Sequence, residues 1–175
     1  LFCPCSTEMA SSRVICELER ELRAVAGELG EVDRAAAFEQ ARGRRFRYIL
    51  NEGEACLVEA DEEPPHMMDD EALRIALQIA MLLHCRIVDE VHVMRKTVVD
   101  GSNTSGFQRT ALIATDGWVE VRGRRFGITH VCLEEESAGI VEAKGRLVTY
   151  RLDRLAIPLV EIGTELLTDV TPELI

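Results

Sequence analysis

The chain has 175 residues, enough for a domain with a true hydrophobic core. Its 47% hydrophobic content excludes a disordered chain, and no apolar run is long enough to cross a bilayer as a helix. A net charge of −11 opposes nonspecific nucleic-acid binding by the whole surface but leaves room for local basic patches. Residues 12–29 place Val14, Leu18, Leu22, Val25 and Leu29 at helical spacing, with Ser11 or Ser12 as cap and Gly30 as stop. A short second helix is expected after Asp33, ending near Gly43. Residues 45–50 and 55–60 read as two strands joined by a hairpin at Asn51-Glu52-Gly53. After the acidic, proline-stiffened break at 61–65, Asp69 or Asp70 caps a helix running to about Cys85. Its broad apolar face (Leu73, Ala76, Leu77, Ala80, Met81, Leu83) predicts a well-buried element.

From residue 89 the pattern changes to strands. Segments 91–99, 107–114, 118–121, 127–133, 147–152 and 157–162 are predicted strands, with a tight turn at Asp116-Gly117. Helices followed by a largely antiparallel sheet make the expected class α+β, in a single domain over 1–175. The six cysteines (3, 5, 16, 56, 85 and 132) stand mostly in apolar contexts and form no disulfide framework, so a reducing, cytoplasmic setting is expected. No basic start followed by an apolar stretch marks a signal peptide. Cys3-Pro4-Cys5 could give two thiolates to zinc, but zinc takes about four ligands and no Cys-x-x-Cys or His pair completes the set. Zinc is therefore not expected.

Two groups of residues carry candidate chemistry. Arg95-Lys96 opens a polar loop, Thr97 to Gly106, rich in Gly, Ser, Thr and Asn, which leads to Phe107-Gln108. Such a loop suits a backbone that holds a phosphate or carboxylate, and the same residues also suit ordinary turns. The basic clusters Arg42, Arg44, Arg45, Arg47 and Arg122, Arg124, Arg125 read as solvated strand ends. The second group is acidic. Glu134-Glu135-Glu136 closes an apolar strand, where adjacent carboxylates are costly unless solvated or holding a cation. Glu161 interrupts the apolar run 157–162, so it must be paired or bound to metal; Arg151 and Arg154 are the candidate partners.

Together, Arg95 to Thr110, Leu133 to Glu136 and Tyr150 to Glu161 resemble the family of archaeal glutamyl-tRNA(Gln) amidotransferase E subunits, and more distantly the B subunits of the bacterial enzyme. Leu22 to Asp33 and Ala72 to Ile79 support the likeness, which runs from Leu1 to about Thr164. The resemblance implies a cradle-like catalytic domain, an antiparallel sheet flanked by helices. It implies that ATP phosphorylates the side-chain carboxylate of glutamate on tRNA(Gln), after which ammonia displaces phosphate. An asparaginase-like partner, the D subunit, would supply the ammonia within a hetero-oligomer, with no membrane partner.

By the same resemblance Mg2+ is held by Glu135 and Glu161, with Glu134 as the alternative to Glu135, and Lys96 joins these two as a catalytic residue. Arg95, Ser102, Asn103, Ser105, Gln108, Asp153 and Arg154 are implied to bind the cofactor. The family's opening Gly-Leu-Glu-(Ile/Val)-His motif is expected just before Leu1, and its Pro-Asp after Glu165 is replaced by Leu166-Leu167. Truncation at both ends is therefore expected. A non-catalytic paralogue that binds a partner subunit or tRNA is the alternative reading.

Overall fold

The computed structural model describes residues 1–3, 14–22, 24, 29–53, 55–154, 156–168 and 170–171. They divide into two compact units. The first comprises residues 1–67, 95–108 and 135–157; the second comprises 68–94, 109–134 and 158–175. Two helices and nine strands are found among the described residues, and the class is α+β.

The first unit is built on a four-stranded sheet. Its strands are β1 (Val14–Glu21), β2 (Arg45–Asn51), β7 (Gly139–Lys144) and β8 (Leu147–Arg151), in the order β1-β2-β8-β7. β2 pairs antiparallel with β1 but parallel with β8, with Tyr48 opposite Tyr150. Alternation along β2 sends Phe46, Tyr48 and Leu50 into a core completed by Ala60, Ala138, Tyr150 and Leu152. Its other face carries Arg45 and Arg47, which pair with Glu19 of β1 at 2.9 and 3.6 Å. α1 (Arg34–Ala41) is capped by Asp33, whose carboxylate accepts from the Ala36 amide at 2.8 Å.

The expected helix over 12–29 is not what forms: its described part is β1, while 12–13, 23 and 25–28 lie outside the described residues. Val14, Leu18 and Leu22 are four apart, but they are also all even-numbered. In a strand they share a face, and Leu18 and Leu22 pack on the core while Glu17, Glu19 and Glu21 are exposed. The expected strand over 55–60 is also absent. Both edges of β2 are taken, by β1 and β8, and the segment folds instead as turns. Those turns are closed by Ala60 N–H to Cys56 O (3.1 Å) and Glu62 N–H to Leu57 O (2.8 Å).

In the second unit, α2 (Asp70–Leu82) is capped by Asp69, which accepts from the Ala72 amide at 2.7 Å. Only a narrow stripe of Ala72, Ala76 and Ala80 is buried; Ile75, Met81 and Leu82 are exposed, so the broad buried face expected for this helix is not seen. A second sheet is made of β3 (Arg86–Ile87), β4 (Val93–Thr97), β5 (Phe107–Val121), β6 (Arg124–Glu135) and β9 (Pro158–Thr164). Its order is β3-β5-β6-β9, with β4 also pairing with β5.

Asp116-Gly117 is not a turn: β5 runs straight through it. Gly117 serves close approach instead, since a Cβ there would collide with Cys85 Sγ and the Leu83 carbonyl, which accepts from Trp118 N–H at 2.7 Å. The chain reverses six residues later. There Arg122 (φ 51°) and Gly123 (φ 77°) supply the two left-handed residues of a two-residue hairpin loop.

Candidate functional site

In the first unit the polar loop after β4 is a rigid platform. Gly101 stands at φ 85°, and a Cβ there would strike the Phe46 ring, so only glycine lets the backbone pass this close to the core. Two tyrosines hold the backbone from below. Tyr48 donates to Gly101 O and Tyr150 to Asp100 O, each at 2.6 Å, with the two rings stacked at 5.9 Å. Burial, followed by the neighbouring Tyr150, pushes the Tyr48 hydroxyl well above the usual phenol range. The Tyr150 hydroxyl is pushed up to about 12, chiefly by burial and then by Asp100. Both therefore remain donors at any physiological pH.

The loop's own side chains complete the platform. Ser102 donates to Asp100 Oδ1 through its amide (2.9 Å) and its hydroxyl (2.7 Å). The Ser105 hydroxyl donates to Phe107 O at 3.0 Å, and Val98 N–H to Gly106 O at 2.9 Å. Thr104 ties the loop outward, its hydroxyl donating to Glu59 O at 2.6 Å. The hydroxyls expected to face a ligand are thus engaged within the protein. The backbone of Gly101 and Gly106 lines a cavity of about 150 Å3 together with Arg20, Tyr48, Asn103 and Ser105.

Hydrogen bonds join this loop to the acidic segment, and the acidic segment to the turn after β8. Gln108 Nε2 donates to Glu135 O at 2.7 Å, and Ser137 Oγ to Asn103 Oδ1 at 3.4 Å. Ala138 N–H donates to Ser102 O at 2.8 Å. Arg154 pairs with Glu136 at 3.1 Å, and Glu136 N–H donates to Ile157 O at 3.0 Å. Asp153 pairs with Arg151 at 3.7 Å. Arg95 and Lys96 are exposed on β4, and the Arg95 guanidinium lies 5.6 Å from the centre of the Phe107 ring. One constellation therefore contains the 100–108 loop, Glu135, Glu136 and Arg154, with Glu135 itself only 3% exposed.

The remaining two candidates belong to the second unit. Glu134 is buried and accepts from the Thr110 hydroxyl at 3.0 Å. Glu161 is exposed on β9, and its Oε1 lies 3.3 Å from His130 Nε2 on the neighbouring β6. The arginines named as its candidate partners are engaged elsewhere, Arg154 with Glu136 and Arg151 with Asp153.

Among the described residues, no three His, Cys, Asp or Glu side chains stand close enough to cage a metal ion. Cys5 lies outside the described residues, and Cys3 Sγ sits 4.0 Å from Glu59 Oε1. Mg2+ needs no such cage. It keeps several waters and takes one or two carboxylates besides phosphate oxygens, and the carboxylates of Glu135 and of Glu161 are each of that chemical kind.

Sequence reasoning misses the anchoring tyrosines and His130. A signal for the tyrosines exists: Tyr48 and Tyr150 each stand mid-strand in an apolar alternation, where a buried phenol needs an acceptor. His130 carries no such signal, because its partner is set by strand adjacency.

Residues 1–173 match the family model described as the GatB/GatE catalytic domain. The chain is 51% identical over 164 residues to the glutamyl-tRNA(Gln) amidotransferase E subunit of Methanocaldococcus jannaschii, covering 94% of this chain and 26% of that protein. Identity is 53% over 165 residues with the same-named protein of Methanothermobacter thermautotrophicus and 55% over 168 residues with that of Archaeoglobus fulgidus. Each match covers 94% of this chain and 27% of the relative, so the chain spans about a quarter of the length of these relatives.

Proposed function

Given that the chain belongs to the GatB/GatE catalytic domain family, we propose that it is the catalytic-domain portion of a tRNA-dependent amidotransferase making glutaminyl-tRNA from glutamyl-tRNA(Gln). The observation that carries the reading is the identity of about one residue in two to the archaeal E subunits over 94% of the chain. In this reading ATP transfers its γ-phosphoryl group to the side-chain carboxylate of the glutamate, giving an acyl phosphate and ADP. Ammonia then attacks the acyl carbon, the C–O bond to phosphate breaks, and phosphate leaves with the electron pair while the amine sheds a proton.

Phosphoryl transfer asks a protein mainly for positioning and charge neutralisation. Lys96 and Arg95 supply positive charge on an exposed strand. The loop anchored by Tyr48 and Tyr150 offers a backbone that need not reorganise as charge develops. Asn103, Ser102 and Ser105 shape that loop, and Gln108 ties it to Glu135. Arg154 and Asp153 order the neighbouring turn through Glu136 and Arg151. Glu135 and Glu161, with Glu134 as the alternative, would hold Mg2+, and the ion when bound would neutralise charge on the phosphate oxygens. Zinc has no part in this reading. An asparaginase-like partner that supplies ammonia, glutamyl-tRNA(Gln) and a cytoplasmic setting complete it.

Calorimetric titration of Mg·ATP into the chain tests the proposal. Saturable binding is expected, weakened about tenfold or more by Lys96→Met and by Glu135→Gln, with thermal unfolding of each variant as the folding control. Absence of binding to the folded chain would favour a non-catalytic module. Unchanged affinity in Glu135→Gln would remove that residue from the site.

A further inference from the structure

We propose that His130 is a positioning residue for Glu161, fixing the carboxylate so that it can serve a divalent cation; the inference rests on the reading of Glu161 as a cation ligand. Three independent contacts hold the ring. Its Nε2 lies 3.3 Å from Glu161 Oε1. Its Nδ1 lies 3.0 Å from the hydroxyl of Thr129. The ring also rests against Gly163, two residues beyond Glu161 on the same strand, where any Cβ would run into the imidazole. A neutral ring protonated on Nε2 satisfies both polar contacts at once: Thr129 donates to Nδ1, and Nε2 donates to the carboxylate.

The need for such a device follows from exposure. Glu161 is a long side chain with three rotatable bonds on an exposed part of β9, its side chain 45% accessible. Each contact that orients such a carboxylate lowers the entropy a bound cation has to remove, and the His130 ring supplies one such contact. Outer partners that orient a ligand are commonly worth about 10–100-fold in metal affinity. Thr129 and Gly163 make His130 a suitable brace because they fix the ring from two sides, one polar and one steric. Gly163 makes room for the ring. With φ outside the left-handed range, it is needed for the space it leaves and not for its backbone freedom.

The test uses Mn2+ as the probe, an oxygen-seeking octahedral ion that stands in for Mg2+, with bound metal read by electron paramagnetic resonance on the full chain. His130→Ala is expected to weaken Mn2+ binding about tenfold, and His130→Gln, whose amide reaches the same carboxylate, to recover most of that loss. Thr129→Val, which keeps the ring but frees it to turn, is expected to weaken binding about two- to threefold. Thermal unfolding of all three should match the parent chain. If His130→Ala does not fold, the Gln and Val variants decide.

Loss of binding in Glu161→Gln together with unchanged affinity in His130→Ala would overturn the positioning role alone. Failure of Gln to rescue a folded His130→Ala loss would do the same, reducing His130 to packing on Gly163. Unchanged binding in Glu161→Gln, or no saturable Mn2+ binding by the parent chain, would overturn the reading of Glu161 as a ligand and this inference with it.

Discussion

The loop at 95–108 and the His130–Glu161 pair both hold polar groups in place, but one does it with buried tyrosines and the other with a half-buried imidazole. In the loop, Tyr48 and Tyr150 are each 2% exposed and their hydroxyls are fully committed to backbone carbonyls. The platform is continuous with the core of its unit, so a change there disturbs the loop and the fold together. The side chains of His130 and Glu161 are 35% and 45% accessible, so water can reach a contact that is removed there. A change at the exposed Glu161 is therefore expected to cost the fold little. The same class of interaction thus carries different consequences according to burial.

Four measurements sharpen or break that contrast. The largest effect is expected from Gly101→Val, which forces a branched side chain into the Phe46 ring at a left-handed backbone position. A loss of about 3 kcal/mol or more in urea unfolding is anticipated. Tyr48→Phe should cost about 1–3 kcal/mol, because the Gly101 carbonyl loses a buried donor.

The third test is pH. Tyr150 is pushed up to about 12 in the fold and Tyr48 higher still, against about 10 for a free phenol. The unfolded chain therefore loses its phenolic protons first. Their contribution to stability is complete below pH ~10 and falls as pH rises towards ~12. Tyr150→Phe should flatten that decline, and an unchanged slope would argue against a buried, proton-retaining phenol. The smallest effect is expected from Glu161→Gln, within about 0.5 kcal/mol of the parent chain because Glu161 is exposed. A loss above ~2 kcal/mol would show that the pair supports the fold and would collapse the contrast.

Much of the loop is legible in sequence and little of what holds it. Gly101 and Gly106 sit at positive φ as turn chemistry requires, and Arg95 and Lys96 are exposed on β4. The alternation of Phe46, Tyr48 and Leu50 is visible, but the acceptors of the phenols lie 53 and 50 residues away along the chain. Local pattern cannot reach that far. The segment 12–29 misleads for a different cause, since apolar residues four apart satisfy both the helical period and the strand period. Asp116-Gly117 misleads because glycine marks close approach as well as turns, and the residues that approach it, Leu83 and Cys85, follow another element. For Glu161, the need for a partner follows from the apolar run around it. The partner's identity depends on β6 lying beside β9.

The parallel pairing of β2 with β8 also governs the order in which the molecule can be made. Tyr48 meets Tyr150 only after about a hundred further residues have been synthesised. Until then β2 presents an unpaired edge, with Phe46, Tyr48 and Leu50 lacking the β8 side of their core. A nascent chain at the ribosome therefore carries an unfinished, sticky sheet for roughly five to twenty seconds at ordinary elongation rates. The first unit closes late, and its early strands are the segment that a chaperone acting during translation would need to shield.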